Sequence, residues 1–534
     1  MRRFAALYAA LDATTATSAK VAALVAFYRD APPADAAWAT HMLLGRRPKR
    51  LVKAGDLRAW AAELASVPDW LFEESYAQVG DLAETITLLV PPGDGADEAP
   101  LAAWVEGRVL ALAGQPPEAQ RARLREAWAA LDGASRLVFN KLITGAFRVG
   151  VSDGLVVRAI AEASGVDADA IRHRLMGAWE PGADWWTRLV TPATEDMDWS
   201  RPYPFCLAQP LDGAPDALGD AAGWLAEWKW DGIRAQVVRR RGRTVLWSRG
   251  EERLAGRFPE VEQTAALLPD GTVLDGELLA WGDGTPQPFA ALQRRLNRKQ
   301  VGRTLLAQVP VRLLAYDVLE AGGADLRGRP LLERRATLEG LVAALPTGAT
   351  IGLSPPVPGD GWPALAAARD AARAHAAEGL MLKRRASAYG SGRRGGDWVK
   401  WKVVPLTIDA VLVAAQPGHG RRAGLFTDYT FAVWRDGALV TIAKAYSGLT
   451  DAEIAEVDRF VRRHTLERFG PVRTVEPQLV FELAFEGLQP SPRHKSGIAV
   501  RFPRIARWRR DKPAAEADTL AQVLALLDAT RAPT

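Results

Sequence analysis

The strongest constraint on the fold of this chain is a change of hydrophobic period part-way along it. Up to about residue 190, apolar side chains recur at three- and four-residue spacing, as in Val21, Leu24, Val25 and Tyr28, the period of an amphipathic helix. Residues 191–204 then carry three prolines and little helical pattern. Beyond them the apolar residues come in short runs bounded by glycine, at 235–238, 244–247, 272–274 and 311–316, which read as strands with helical segments between. After Pro405, further strand candidates at 408–413, 429–434, 439–442 and 479–484, with a closing helix at 520–527, read as a smaller β-rich unit. The expected architecture is multidomain α and α+β: a helical region at 1–195, an α/β region at 196–404 and a β-barrel region at 405–534. Residues 91–98 are expected to form a flexible polar loop inside the helical part. No internal repeat of fixed period is visible, which argues against a solenoid or propeller.

Cysteine usage narrows the compartment and the chemistry. With Cys206 alone, the chain has no intramolecular disulfide and no four-cysteine zinc site, so a reducing cytoplasm is the expected location. Arg2 and Arg3 before Phe4 imitate a signal peptide, but Phe4, Leu7, Tyr8 and Leu11 have helical spacing and Asp12 cuts the apolar run short. No run of ~18 apolar residues occurs, so no membrane span is expected. A formal charge of +5 and a sequence pI near 9.3 favour a polyanionic partner, and where the charge sits decides which.

The chemistry concentrates in the α/β region. Glu227-Trp228-Lys229-Trp230-Asp231-Gly232-Ile233-Arg234 fits K-x-D-G-x-R, where a lysine beside a strand end can attack phosphorus once its ammonium is deprotonated. Nearby cations or desolvation are expected to favour that loss. Read alone, the same residues are a surface turn with Asp231-Gly232 at the bend. Other signals follow in compatible order: Arg249 just after a strand; Asp275-Gly276-Glu277, with carboxylates at a strand end; and Tyr316, able to stack on a base. Then come Glu378-Gly379-Leu380-Met381-Leu382-Lys383 and Trp398-Val399-Lys400-Trp401-Lys402, whose alternation puts Lys400 and Lys402 on one strand face, a poor core and a good phosphate site. Near the end, eight of the twenty residues 493–512 are Lys or Arg.

This ordered series resembles the ATP-dependent DNA ligases of the covalent nucleotidyltransferase superfamily. The resemblance implies a helical DNA-binding domain, an adenylation domain and a C-terminal OB-fold. It implies Lys229 as the residue that becomes linked to AMP, Glu227 at the adenine, and Arg234 and Arg249 at the ribose or phosphates. Glu277 would meet the ribose and the metal, and Tyr316 stands where the family usually has a phenylalanine stacked on adenine. Glu378 would help hold Mg²⁺; Arg394 matches a family arginine; and Lys383, Lys400 and Lys402 would surround the α-phosphate. Arg501-Phe502-Pro503-Arg504 with Asp511-Lys512 resembles the last ligase motif, which orients the leaving pyrophosphate.

In the helical part, residues 145–152 and 13–20 resemble the DNA-binding domain of larger ligases, and Arg46, Arg47, Lys49, Arg50 and Arg148 are candidate backbone contacts to nicked duplex DNA. The compact form is similar to bacterial accessory ligases, so the implied enzyme is a monomer using ATP and Mg²⁺ in DNA repair, replication or recombination. An NAD-dependent ligase is disfavoured by the missing cysteine cluster, and a capping guanylyltransferase by the helical N-terminal part. An RNA ligase and a non-catalytic OB protein stay open to test.

Overall fold

The computed structural model describes residues 1–530 except 47–50, 94, 96, 146, 148, 193–198, 251, 297, 299, 300, 393–395, 419–421 and 423. The chain makes two compact units, one drawn from Met1–Ala168, Glu180–Ala193 and Pro405–Asp528, the other chiefly from Asp169–Trp179 and Thr194–Val404. Among the described residues no helix is long and apolar enough to cross a membrane.

The N-terminal region is helical, from Arg2–Asp12 to Asp153–Ser164, and the residues that set the sequence period form its core. Phe4, Leu7, Tyr8 and Leu11 are buried on the first helix, and Val21, Leu24, Val25 and Tyr28 on the helix Thr17–Asp30. Within the expected polar loop, Pro91 and Gly93 are tied down more firmly than a flexible loop requires. Arg136 Nη1 donates to the Pro91 carbonyl at 2.6 Å, and a Cβ on Gly93 would lie 2.3 Å from the Ala129 carbonyl oxygen. Lys20 is buried, and its Nζ donates to the carbonyls of Val149 and Gly150 at 2.7 and 3.0 Å, so this lysine organises the glycine loop from inside.

The second unit is α/β. Its strands are β1 (Gln209–Pro210), β2 (Trp224–Trp230), β3 (Ile233–Arg240), β4 (Arg243–Ser248), β5 (Thr272–Gly282), β6 (Thr285–Pro286), β7 (Val311–Ala321), β8 (Ala324–Asp325), β9 (Ile351–Leu353), β10 (Ala377–Arg384) and β11 (Trp398–Lys402). Four form one sheet in the order β1-β11-β10-β2; seven form another along β4-β3-β5-β7-β8, with β6 on β5 and β9 on β7. Alternate residues of the small sheet, including Trp224, Ala226, Leu380, Leu382, Val399 and Trp401, pack with Trp362 and Leu365 of the helix Trp362–Asp370. Ala235, Val237, Leu274, Leu278 and Leu313 of the large sheet pack with Val261 and Leu338 of the helices Pro259–Ala265 and Leu331–Ala343. A third cluster, holding Val238, Trp247, Val273, Tyr389 and Trp398, joins the remaining faces of the two sheets.

In the C-terminal region, β12 (Leu406–Pro417) pairs along one edge with β13 (Phe426–Arg435), which pairs with β14 (Ala438–Ala445). Along its other edge β12 takes two partners in turn: β17 (Val480–Phe485) against Leu406 to Val411, then β16 (Val472–Val475), itself paired with β15 (Thr465–Phe469), at Ala414 and Ala415. One strand serving two neighbours forces the sheet to curl, giving the strand-rich half-barrel the OB-fold expectation requires. The strands β18 (Gly487–Pro490), β19 (Ile498–Arg501) and β20 (Arg504–Trp508) follow. The sequence reading passed over the helix Asp451–Arg463, although Thr450 and Glu453 form a reciprocal capping box at its start.

Candidate active site

The period-two alternation of β2 decides what faces the site. Trp224 and Ala226 belong to the core, so Glu227 and Lys229 share the opposite face, with Lys229 one residue from the strand end. Gly232 follows in the connection to β3, but it does not supply a left-handed bend, since its φ is not positive. A Cβ there would lie 2.3 Å from the Leu278 carbonyl oxygen and 2.9 Å from Glu277 Cγ, so glycine lets the turn lie directly on β5 beside Glu277. Asp275 and Glu277 are not at a strand end, as expected from sequence, but inside the eleven-residue β5, where they project from one face.

A bulge completes the cluster around Lys229. Glu378 and Lys383 are an odd number of residues apart and in a regular strand would face opposite sides. The pairing of β10 with β2 shifts register between Ala377 and Leu380, around Gly379 at φ +139°. The bulge turns Glu378 to the site, where Oε2 contacts Lys229 Nζ and lies 3.3 Å from Lys402 Nζ. Burial raises the Glu378 carboxyl, but the ammoniums of Lys229 and Lys402 outweigh it and hold the group below its ordinary value. Lys229 therefore has an anion as its immediate partner, where cations or an apolar wall were expected. Burial pushes the Glu277 carboxyl up to about 8, opposed by the charges of Lys229, Arg234 and Arg249.

Glu227 forms a second cluster. Its Oε2 accepts from Lys383 Nζ at 2.5 Å and its Oε1 from Arg335 Nη1 at 3.0 Å, all three side chains being buried. Lys383 Nζ lies 4.0 Å from the centroid of Tyr316 and 4.3 Å from that of Trp398. Lys383 is thus grouped with Glu227 and Tyr316, and Lys402 with Lys229 and Glu378. Arg234 is half-buried: its Nη2 donates to Asp275 Oδ2 at 2.7 Å, and Tyr389 donates to the same oxygen at 2.6 Å. Arg249 is exposed immediately after β4, and Lys400 shares its face of β11 with Lys402. Arg394 lies outside the described residues.

The sequence reading missed Arg335, Tyr389 and Trp398. One signal was available: on the helix Leu331–Ala343 the buried stripe runs Leu331, Arg334, Arg335, Leu338, and arginines inside an apolar stripe require buried anions. Arg334 meets Asp317, with Nε to Oδ1 at 2.8 Å and Nη2 to Oδ2 at 2.9 Å.

The remaining candidates belong to the other unit. Arg501 ends β19 and exposed Arg504 begins β20. Asp511 holds Arg509 through two oxygens, and Lys512 Nζ and Arg509 Nη1 reach Asp409 Oδ2 at 2.8 and 2.6 Å. Arg46 follows the helix Pro33–Leu43, its N–H bonded to the His41 carbonyl at 3.0 Å. Arg47, Lys49, Arg50 and Arg148 lie outside the described residues.

Known families match the chain in three consecutive parts: "DNA ligase N terminus" over residues 1–161, "ATP dependent DNA ligase domain" over 205–402 and "ATP dependent DNA ligase C terminal region" over 422–512. A probable DNA ligase of Koribacter versatilis is 35% identical over 546 residues, covering 96% of this chain and 94% of its own. The chain belongs to the ATP-dependent DNA ligase family. A probable DNA ligase of Streptomyces griseus is 32% identical, with 96% of each chain covered. The solved structure "Pmar-Lig_PreS3" shares the fold at a TM-score of 0.62 and 16% identity, over 95% of this chain and 99% of its own. This ligase is thus an ATP-using enzyme of the family that seals DNA nicks through a lysine–AMP intermediate.

The donor set also tests the family's divalent cation. Among the described residues no three His, Cys, Asp or Glu gather as a closed metal cage. Glu378 of β10, and Glu277 of β5 once a bound cation displaces its proton, fit a hard cation that takes its other ligands from water and substrate phosphate.

Proposed function

We propose that this ligase joins a 3′-hydroxyl to a 5′-phosphate at nicks in duplex DNA, working as a monomer in the cytoplasm with Lys229 as nucleophile. The carrying observation is the placement of Lys229 at the end of β2, its Nζ touching Glu378 and thereby grouped with Lys402. In the first step Lys229 Nζ, its ammonium proton given up to solvent, forms a bond to the α-phosphorus of ATP, and pyrophosphate leaves with the electrons of the broken P–O bond. Lys400 and Lys402 neutralise the transferring phosphoryl group, while Glu227 and Tyr316 hold the adenine and Arg249 the ribose. Mg²⁺, held by Glu277 and Glu378, would neutralise charge on the triphosphate. AMP then passes to the 5′-phosphate of the nick, and the 3′-hydroxyl displaces it. Residues 1–195 serve as the DNA-binding domain, 196–404 as the adenylation domain and 405–534 as the domain whose Arg501, Arg504, Asp511 and Lys512 orient pyrophosphate.

The test is covalent labelling of the protein by α-phosphate-labelled ATP, with GTP and NAD as parallel donors, followed by a chase with nicked DNA or nicked RNA. Labelling from ATP, discharge by nicked DNA, and loss of label in Lys229→Ala are expected. Normal labelling of Lys229→Ala, or discharge by nicked RNA alone, would overturn the reading.

A further inference from the structure

Glu227 can read a base only if both of its oxygens are held still and charged. Each is. Lys383 takes Oε2, and Arg335 takes Oε1 with Nη1 while its Nη2 donates to the Ser354 carbonyl at 2.9 Å and its Nε to Glu339 at 2.8 Å. Ser354 is itself fixed: its N–H donates to the Ala315 carbonyl at 2.8 Å, and its hydroxyl accepts from Trp230 Nε1 at 3.1 Å. Arg335 therefore bridges the Glu227 carboxylate to a rigid main-chain point beside Tyr316, its planar fork giving one N–H to Glu227 Oε1 and another to the Ser354 carbonyl at a fixed spacing that a lysine cannot reproduce. A carboxylate pinned in this form accepts hydrogen bonds and donates none. It attracts a base with an amino group at position 6 and repels one with a carbonyl there.

We propose that Arg335 is a positioning residue that makes the nucleotide site selective for 6-amino over 6-oxo purines by locking Glu227 as a fixed acceptor. The inference rests on the reading of Glu227 as the adenine contact. Its test compares ATP with inosine triphosphate, whose base carries a 6-oxo group and no 2-amino group, as donors for covalent labelling of the full chain.

In Arg335→Met the KM for ATP rises about tenfold and the ATP preference over inosine triphosphate falls by about as much, while kcat for labelling changes little. Arg335→Lys, which keeps the charge and loses the fork, is expected to lie between. Glu227→Gln separates the two layers. If Glu227→Gln leaves base preference unchanged, the adenine reading is wrong and the inference falls with it. If Glu227→Gln abolishes the preference while folded Arg335→Met keeps it, the adenine reading stands and Arg335 has no part in it. Should Arg335→Met fail to fold, Arg335→Lys decides by the same KM and preference readouts: a wild-type preference overturns the proposal.

Discussion

Gly379→Ala tests the structural logic of the site most directly, because one added carbon attacks the bulge that brings Glu378 to Lys229. The new Cβ would lie 2.3 Å from the Trp401 carbonyl oxygen and 2.7 Å from Lys402 Cα, both backbone atoms of the neighbouring strand. Relief to an ordinary contact needs β10 and β11 to part by about 1 Å, against overpacking costs of about 1–3 kcal/mol. The backbone at φ +139° is open almost only to glycine, which adds about 1–3 kcal/mol for any other residue. The expected sum of about 2–6 kcal/mol is a large share of a domain's stability. Its structural effect falls on Lys402 and Glu378 together, so adenylation should suffer more than folding. Urea denaturation gives the stability loss, and labelling by α-phosphate-labelled ATP at a temperature where the variant is still folded gives the chemistry. An unchanged urea midpoint together with a wild-type labelling rate would refute the reasoning, since nothing else in the site replaces the bulge.

Arg334→Met leaves Asp317 buried without its partner, and loss of one member of such a pair costs about 3–5 kcal/mol; a change below 1 kcal/mol in chemical denaturation would mean that the pair is exchangeable. Burial, together with the charges of Arg201, Arg240, Arg327 and Arg174, lowers the His173 imidazole to about 4 in the folded chain. The unfolded chain therefore takes up the proton first, so stability is full above about 6.5 and falls as pH drops toward 4. Urea midpoints at pH 7 and pH 5 should differ less in His173→Gln than in the parent. Lys512→Ala should slow self-adenylation at least about tenfold while DNA is still retained at low salt; a normal rate would remove Lys512 from the first step. DNA binding should weaken steeply and linearly in log salt with little base preference, as contacts to phosphate require, and salt-independent binding would contradict it.

How far the sequence carried the argument differs between face and partner. The alternation of β11 was readable because a strand has period two whatever surrounds it, so Lys400 and Lys402 shared a face before any coordinates. The same rule put Glu378 and Lys383 on opposite sides, and only the bulge at Gly379 overrode it. The carboxylate partner of Lys229 lies 149 residues away in the chain, and Glu227, which Arg335 meets besides its i,i+4 neighbour Glu339, lies 108 residues away, so no local pattern could make those two pairs. The acid pair in β5 read as a strand end because charged residues are rarely buried, and it sits inside the strand because Arg234 and Tyr389 hydrogen-bond Asp275 there.

What the sequence by itself determined is therefore the local and periodic content: a helical part, an α/β part, a β-rich part, and the ordered motifs that mark a lysine-adenylating enzyme. Hydrophobic period and short-range stereochemistry act within a few residues, so they survive without knowledge of the fold. Only the tertiary structure decided which charges meet. It set Glu378 against Lys229, paired Lys383 with Glu227, and laid the bend at Gly232 directly on β5. Those outcomes depend on which strands lie side by side and in what register, and a buried charge takes whichever opposite charge that packing delivers.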